Sequence, residues 1–429
     1  MKLQPADPAS RTAVSGTWLR IRASVPWIVG IAFALRVAWI ILAHTYKFKT
    51  ADDNFSFGWE MGRIGASIAS GHGFSNPFGP PTGPTAWEPP LYPYLIAGVF
   101  QIFGIYSKAS AFVLLTFNSA CSALTCIPIF LIARRVFSEK VAVGSAWAWA
   151  LLPNVMFWCT RAVWETSLSA LLLAVIFWLS LTLEERDGLQ PWLGFGTLWG
   201  VAALNSPSLL AFLPASGLWA WYRQAKRGKR SLAGVLAASA LFCACIAPWL
   251  VRDYRTFGKF IFLRDNFGAE LRLGNGNGAD GTLMIYLDPP HDTYALRQFQ
   301  KMGETAYIAM RKQQALAYIR ADYARFAELS VKRFICFWAS PPKPAQPAWV
   351  EPLKGSLFLG SSLLAWLGLG YAIRQRRPGA WLFFWMCLFY PAMYYFVYAI
   401  PRYRHPIEPE LAILCVFLFV EAKKPKAFE

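Results

Sequence analysis

Long apolar runs separated by short polar and basic stretches set the pattern of the chain. A helix needs ~20 mainly apolar residues to cross ~30 Å of hydrocarbon. Runs of that kind fall at 26–44, 110–134, 140–158, 166–184, 232–250, 355–374, 379–399 and 406–422. Two shorter runs, 192–205 and 207–222, flank Asn205-Ser206-Pro207 and predict a tight hairpin or one kinked span. The pattern predicts an all-α polytopic membrane protein with about ten transmembrane helices. Residues 88–106 are apolar enough to span but are interrupted by Pro89, Pro90 and Pro93, and they predict a juxtamembrane helix lying on the outer leaflet.

Two hydrophilic segments stand apart, 45–87 and 251–350. The first reads as loop, then a helix over about 55–70, then a Gly/Pro-rich stretch. The second reads as loop over 264–292, then an amphipathic helical stretch to about 335, with Tyr307, Ala315, Tyr318, Ile319, Tyr323 and Phe326 at helical spacing. Three parts follow: a transmembrane module over 1–250 that includes a first outer loop at 45–108, an outer segment over 251–354, and C-terminal transmembrane helices over 355–429.

Charge fixes the predicted sidedness. Basic clusters occur at Arg134/Arg135/Lys140, at Arg223 to Arg230, at Arg374/Arg376/Arg377 and at Lys423/Lys424/Lys426. They share one side, with the N-terminal arginines, only if 88–106 does not cross. Cytoplasmic loops carry the excess of Lys and Arg, so both termini are expected in the cytoplasm of a bacterial inner-membrane protein. The segments 45–108, 159–165, 251–354 and 400–405 then face outward. The chain has 42 Lys and Arg against 24 Asp and Glu, a formal net charge of +18. That excess sits in short inner loops and does not point to nucleic acid. Only 15% of residues are charged and 56% are hydrophobic, well short of the ~25% charge of soluble domains. Eight scattered cysteines show no zinc or disulfide spacing.

Candidate chemistry lies on the predicted outer face. Asp52 and Asp53 follow the first helix at the membrane–water boundary, where partial desolvation raises the basicity of a carboxylate. The same residues with Asn54 also suit a helix N-cap. Glu60, Arg63 and Ser67 share a face if that stretch is helical, and His72 follows in a Ser-Gly-His-Gly turn. Trp87, Tyr92 and Tyr94 suit the headgroup belt. Arg161 and Glu165 are spaced to pair with each other or to line a cavity. Asn266, Glu270, Arg272 and Asn275 combine amide, carboxylate and guanidinium groups with nearby aromatics, as a sugar site does, or form an ordinary glycine-rich surface loop. Arg402, Arg404 and His405 break the charge rule that the rest of the chain obeys, and paired guanidinium N–H groups suit a phosphate. No Asp-x-Asp motif or His cluster requires a metal; one divalent ion on Asp52 or Asp53 is the option the sequence leaves. A transporter or flippase of a lipid-linked sugar is the alternative, but the polar groups gather at one interface and only Arg36 lies well inside a long span.

The order of several segments carries a resemblance: IASGHGFS, GPTAWEPPLYPYLIAGVFQIFG, IARRVF, RAVWETSL, APWLVRDYRTFGKFIFLRDNFGAELRLGN and RYRHPIEP. Over most of 25–420 the chain resembles the membrane glycosyltransferases of the GT-C fold, the group of the protein O-mannosyltransferases and the lipid A aminoarabinose transferases, and is most similar to bacterial members of family 39. The resemblance implies a hexosyl- or pentosyltransferase that takes its sugar from a polyprenyl-phosphate donor in the outer leaflet. The acceptor is a periplasmic hydroxyl on a lipid, glycan or protein. It implies inversion at the anomeric carbon, with a first-loop carboxylate as base or orienting group. Asp53 matches that carboxylate best, Asp52 next, and Glu60 if the register slips. Relatives place a lysine before Pro-Pro-Leu against the lipid phosphate. This chain has Glu88 there, so the phosphate role is expected to pass to Arg402, Arg404 and His405, and Arg63 is a further candidate for it.

Overall fold

The computed structural model describes residues 24–49, 54–79, 81–228, 232–341 and 350–422. The described chain is helical throughout, with one isolated antiparallel bridge between Ser75 and Pro84. In chain order the helices are α1 (Val25–Leu42), α2 (Glu60–Ala69), α3 (Leu91–Phe103), α4 (Lys108–Leu124), α5 (Cys126–Val136), α6 (Glu139–Leu151), α7 (Pro153–Arg161), α8 (Thr166–Thr182) and α9 (Gln190–Asn205). They continue as α10 (Leu213–Lys226), α11 (Leu232–Phe257), α12 (Phe267–Gly274), α13 (Thr293–Met302), α14 (Glu304–Ala321), α15 (Tyr323–Ala339), α16 (Val350–Arg374), α17 (Ala380–Ala392) and α18 (Glu408–Val420).

Five stretches among the described residues are long and apolar enough to cross a membrane: α1, α4 with α5, α8 running on to Glu185, α11, and the Pro352–Arg374 part of α16. The α6–α7 pair makes a sixth if it is one bent span. The remaining predicted spans form helices too short to qualify. At 13 residues α3 is also short of a crossing, about 20 Å at ~1.5 Å per residue. The predicted run 379–399 departs from expectation, because α17 ends at Ala392 and Met393–Tyr395 forms a 3-10 turn. Pro391 cannot continue the hydrogen-bond ladder, and the tyrosines beyond it turn inward. The predicted 55–70 helix starts only at Glu60, since Asn54 and Trp59 both adopt positive φ. The 264–292 loop contains α12, and the long amphipathic stretch breaks into three helices. One break is at Gly303, at φ +77°, and the other at Asp322, whose side chain caps α15. Tyr307, Ala315 and Ile319 are buried as their spacing predicts, whereas Tyr323 is exposed.

The ends of the helices separate by charge. At one end Arg135, Arg223 and Arg227 converge on Glu184, at 3.1, 2.6 and 3.3 Å, with Glu185 beside it. Arg377 pairs with Glu421 at 3.2 Å at this same end, where Phe137 stacks on Phe417. Glu165 caps the opposite end of α8, whose 17 residues separate the two by about 26 Å. The basic loops therefore gather away from the outer segments.

Arg36 is fully buried midway along α1. Its guanidinium donates to the Trp149 carbonyl at 3.2 Å, the Ala150 carbonyl at 3.0 Å, the Ala32 carbonyl at 2.9 Å and Ser122 Oγ at 3.2 Å. The reason lies at the 48° bend between α6 and α7. Pro153 has no N–H to give the Trp149 carbonyl, and the C-terminal end of α6 presents a negative partial charge. Arg36 supplies both the missing donors and the counter-charge. Arg36→Met is expected to destabilise the fold by about 2–4 kcal/mol, from two buried carbonyls losing their donors at ~1–3 kcal/mol each. Arg36→Lys is expected to recover part of it, read by SDS-denaturation midpoints in mixed micelles.

Candidate active site

Five segments distant in sequence meet at the end of the helices opposite the basic cluster. The first, 54–60, docks on the 162–165 turn, where the Val163 amide donates to the Ser56 carbonyl at 2.8 Å. The second, 85–88, is held from three sides. Buried Glu304 accepts from the Ala86 amide at 2.6 Å and from the Thr85 hydroxyl. Arg252 donates to the Thr85 carbonyl at 2.6 Å and the Phe74 carbonyl at 2.9 Å. The Asp265 amide donates to the Ala86 carbonyl at 2.8 Å. Trp87 itself is buried against Phe78 and Phe299. The prolines at 89 and 90 thus fix a short extended strap whose last side chain, Glu88, is aimed by its neighbours.

Glu88 faces Arg264. Arg264 Nη2 donates to Glu88 Oε1 at 2.9 Å, and its Nε to the Trp87 carbonyl at 2.8 Å. The same guanidinium lies 3.5 Å from Glu270, which also accepts from Asn266 Nδ2 at 2.8 Å and from the Tyr398 hydroxyl. Tyr403 donates on to Tyr398 at 3.1 Å. Beside them Arg402 lies 3.7 Å over the ring of Trp164. Three polar atoms here are buried without a protein partner among the described residues: Glu88 Oε2, Glu165 Oε2 and Arg402 Nη1.

The field of this cluster is strongest at Glu88, which is buried while the groups around it are partly exposed. Burial raises the Glu88 pKa to about 8; Arg264 opposes that shift, while Glu60, Glu165 and Glu270 add to it. Glu60 is likewise pushed up by burial and by Glu270, against Arg63 and Arg264. Burial by itself would lower the Arg264 pKa, but Glu88 and Glu270 hold it above its usual value. Arg402 behaves in the same way through Glu165, Tyr403, Tyr398 and Glu88. Four carboxyl groups and two guanidinium groups therefore share one cluster beside Trp164, Tyr398 and Tyr403.

The residues singled out by sequence divide. Asp52 and Asp53 lie outside the described residues. Glu60, Glu165, Glu270, Asn266 and Arg402 come together in the cluster. Arg63 lies at its edge, 6.0 Å from the Trp59 ring. Arg161 is exposed over Phe157 and does not pair with Glu165, and His72 sits in an exposed turn. Arg404 and His405 turn the other way, into the bundle. Arg404 donates to Ser361, Ser362 and the Phe358 carbonyl and pairs with Glu408 at 3.3 Å. His405 stacks on Trp149 and pairs with the same Glu408 at 2.8 Å. These two residues hold the 401–407 turn so that Arg402 and Tyr403 face outward. Asn275 bonds the carbonyls of Leu271 and Phe396 and accepts from Arg333, so it ties the outer segment to the C-terminal turn. Gly274 is required beside it, since a Cβ there would sit 1.7 Å from the Val397 carbonyl. Arg272 lies on the far side of α12. Sequence reasoning missed Arg264, Tyr398, Tyr403 and the chemistry of Glu88. The signal for Glu88 was a lone charge in the otherwise uncharged stretch 81–107, and Arg264 opens the charged motif that also holds Asn266, Glu270 and Arg272.

The arrangement matches a known architecture. The oligosaccharyltransferase of Archaeoglobus fulgidus in its apo form superimposes with a TM-score of 0.55 over 92% of this chain and 50% of that chain, at 14% identity. The same enzyme tethered to an acceptor peptide containing the NVT sequon gives 0.50, over 85% of this chain and 45% of that one, at 14% identity. The chain has the GT-C membrane glycosyltransferase fold. This GT-C chain spans about half the length of the archaeal enzyme. Its residues 87–251 match the family model described as dolichyl-phosphate-mannose-protein mannosyltransferase. ArnT from Cupriavidus metallidurans, bound to undecaprenyl phosphate, is also similar, with a TM-score of 0.39, 12% identity, and coverage of 92% of this chain and 77% of that chain. Comparison with curated proteins gave no match. In this chain the segments 54–88 and 264–270 and the turn before the last helix meet at the same end of the bundle.

Proposed function

We propose that this protein transfers a sugar from a polyprenyl-phosphate-linked donor to an acceptor hydroxyl. The observation that carries the reading is the juxtaposition of the buried Glu88 and half-buried Glu60 carboxyls on the first loop with Arg264 and Arg402 at one end of an apolar bundle. In the proposed step the acceptor oxygen attacks the anomeric carbon from the face opposite the phosphate. The C–O bond to the polyprenyl phosphate breaks, the phosphate leaves with the electron pair, and a first-loop carboxylate takes the hydroxyl proton. Charge grows on the phosphate as the bond breaks, and preorganised cations in a water-poor site stabilise it. Arg264 and Arg402 are placed for that role, and Trp164, Tyr398 and Tyr403 offer ring faces and hydroxyls to a sugar. Asp53 is the base by resemblance, and Glu88 is the best-placed carboxyl among the described residues. We also place the site on the periplasmic face of a bacterial inner membrane with both termini cytoplasmic; the gathering of the basic loops at the other end supports this orientation.

Purified protein in proteoliposomes, given a radiolabelled polyprenyl-phosphate sugar, tests the reading. Lipid mass spectrometry of the same preparation looks for co-bound polyprenyl phosphate. Asp53→Asn is expected to insert normally and to abolish transfer; transfer at the wild-type rate would remove Asp53 from the mechanism. Arg404→Ala is expected to lower thermal stability and to weaken donor and acceptor use together, because Arg404 braces the turn from inside. Selective loss of donor affinity would instead place it at the phosphate.

A further inference from the structure

The peptide units that lead into Glu88 are clamped from both sides. In a planar trans peptide the C=O and the following N–H point in opposite directions. In the 85–86 unit the Thr85 carbonyl accepts from Arg252 at 2.6 Å, and the Ala86 amide donates to Glu304 Oε1 at 2.6 Å. In the 86–87 unit the Ala86 carbonyl accepts from the Asp265 amide at 2.8 Å, and the Trp87 amide donates to Thr85 Oγ1 at 2.9 Å. Thr85 Oγ1 in turn donates to Glu304 Oε2. One carboxyl therefore serves the N–H side of both units, directly at Ala86 and through Thr85 at Trp87. The next carbonyl, that of Trp87, is held by Arg264 Nε at 2.8 Å. Glu88 precedes Pro89, which restricts its own backbone to extended conformations. With these planes fixed, only side-chain rotation is left to Glu88.

Glu304 reaches the strap from 218 positions away. Gly303, at φ +77°, breaks the chain between α13 and α14 and leaves Glu304 as the first residue of α14, where the positive end of the helix suits a carboxyl group. Aromatic rings on either side of the break fix the approach. Phe299 of α13 lies 5.1 Å from the Phe78 ring and 6.2 Å from the Trp87 ring, and Tyr307 of α14 lies 5.3 Å from Phe299. Glu304 itself is 4% exposed. Burial pushes its carboxyl up to about 8, and its bonds to Thr85 and Ala86 pull the other way. Both contacts are available in either protonation state. The ionised group accepts from both donors. The protonated group still accepts from Ala86 on Oε1 and donates from Oε2 to Thr85 Oγ1. The hold on the strap is therefore geometric and does not require the charge.

We infer that Glu304 is a positioning residue for sugar transfer, acting through Thr85 and Ala86 to hold Glu88 against Arg264. This role rests on the glycosyl-transfer reading. Glu304 bonds two and three residues upstream of Glu88, so its influence passes along the strap. Without it, the 85–86 unit is held on its carbonyl side by Arg252, and the Thr85 hydroxyl that receives the Trp87 amide loses its own anchor. Both units can then rotate, and Glu88 shifts relative to Arg264. The second outer segment thus supplies the clamp as well as the guanidinium: α14 fixes the strap, and the segment before α12 presents Arg264 to it.

The test is transfer from a radiolabelled polyprenyl-phosphate sugar by the full-length protein in proteoliposomes, with hydrogen–deuterium exchange of the same preparations read by mass spectrometry. Glu304→Met is expected to lower kcat by about 10²-fold with KM little changed, since a displacement of ~1 Å at a reacting group costs that much. Glu304→Gln is expected to recover kcat to within about threefold of wild type, because its amide can accept from Ala86 and donate to Thr85. Thr85→Val cuts the link to Trp87 and is expected to cost about tenfold; it is read in place of Glu304→Met should that variant not fold. In a Glu88→Gln background, Glu304→Met is expected to slow the residual rate by less than about threefold, because the group it positions is already gone. The Ala86 and Trp87 amides are expected to exchange about tenfold faster in Glu304→Met than in wild type. Wild-type kcat in folded Glu304→Met overturns the proposal, as does unchanged exchange at the two amides. So does Glu304→Gln as slow as Glu304→Met, or an undiminished loss on top of Glu88→Gln, which would make Glu304 a general brace of the fold. Wild type that transfers no sugar sinks the transfer reading instead, and the exchange rates then still show whether Glu304 holds the strap.

Discussion

Replacing Arg264 with methionine is expected to slow sugar transfer from a polyprenyl-phosphate donor by about 10²–10³-fold, the usual loss when one preorganised donor to a developing anion is removed. Methionine keeps an apolar stem but removes every N–H. The guanidinium is anchored by Nε on the Trp87 carbonyl and by Nη2 on Glu88, so its orientation is set before substrate arrives. A preorganised charge costs no reorganisation at the moment of bond breaking, which is why its loss should fall mainly on kcat. Arg264→Lys keeps the charge and loses the planar fork, and about a tenfold loss is expected. Unfolding curves recorded alongside separate catalysis from stability, because Arg264→Met also leaves Glu88 without its hydrogen-bond donor. A folded Arg264→Met protein that transfers sugar within threefold of wild type would refute the assignment.

The second large effect is on the dependence of rate on pH. Glu88 has a folded pKa near 8, so it is mostly protonated at neutral pH. A proton acceptor must be ionised, and kcat/KM is therefore expected to rise with pH through about 8 and then level off. Glu88→Gln is expected to abolish that limb and to lower the rate by about 10²–10⁴-fold, the range attributed to general base catalysis. Arg264 is the group that lowers the Glu88 pKa, so the residual activity of Arg264→Met should show the limb displaced to higher pH. A flat wild-type profile between pH 6 and 9, or a limb that persists in Glu88→Gln, would take the proton away from Glu88.

The same raised pKa has a consequence for stability. The carboxyl binds its proton more tightly folded than unfolded, so its contribution is fully present below the unfolded value of about 4.5. That contribution is lost as pH rises through about 8. The unfolding midpoint of wild type should therefore fall on the alkaline side of neutrality, and Glu88→Gln should flatten that fall.

Apolar run lengths and the placement of lysines and arginines along the chain determined the class of this protein, because membrane insertion responds to local hydropathy and local charge. They fixed the helical architecture and separated the polar outer segments from the basic loops. The motifs around Glu60, Glu165, Asn266, Glu270 and Arg402 were legible because each gathers polar groups in a segment between apolar runs. Tertiary structure alone decided which of them meet. Arg402 and Arg404 are two positions apart, yet the 3-10 turn sends one to Trp164 and the other to Ser362. The pairing of Glu88 with Arg264 spans 176 positions, and its effect on proton affinity arises from burial, which no single segment encodes.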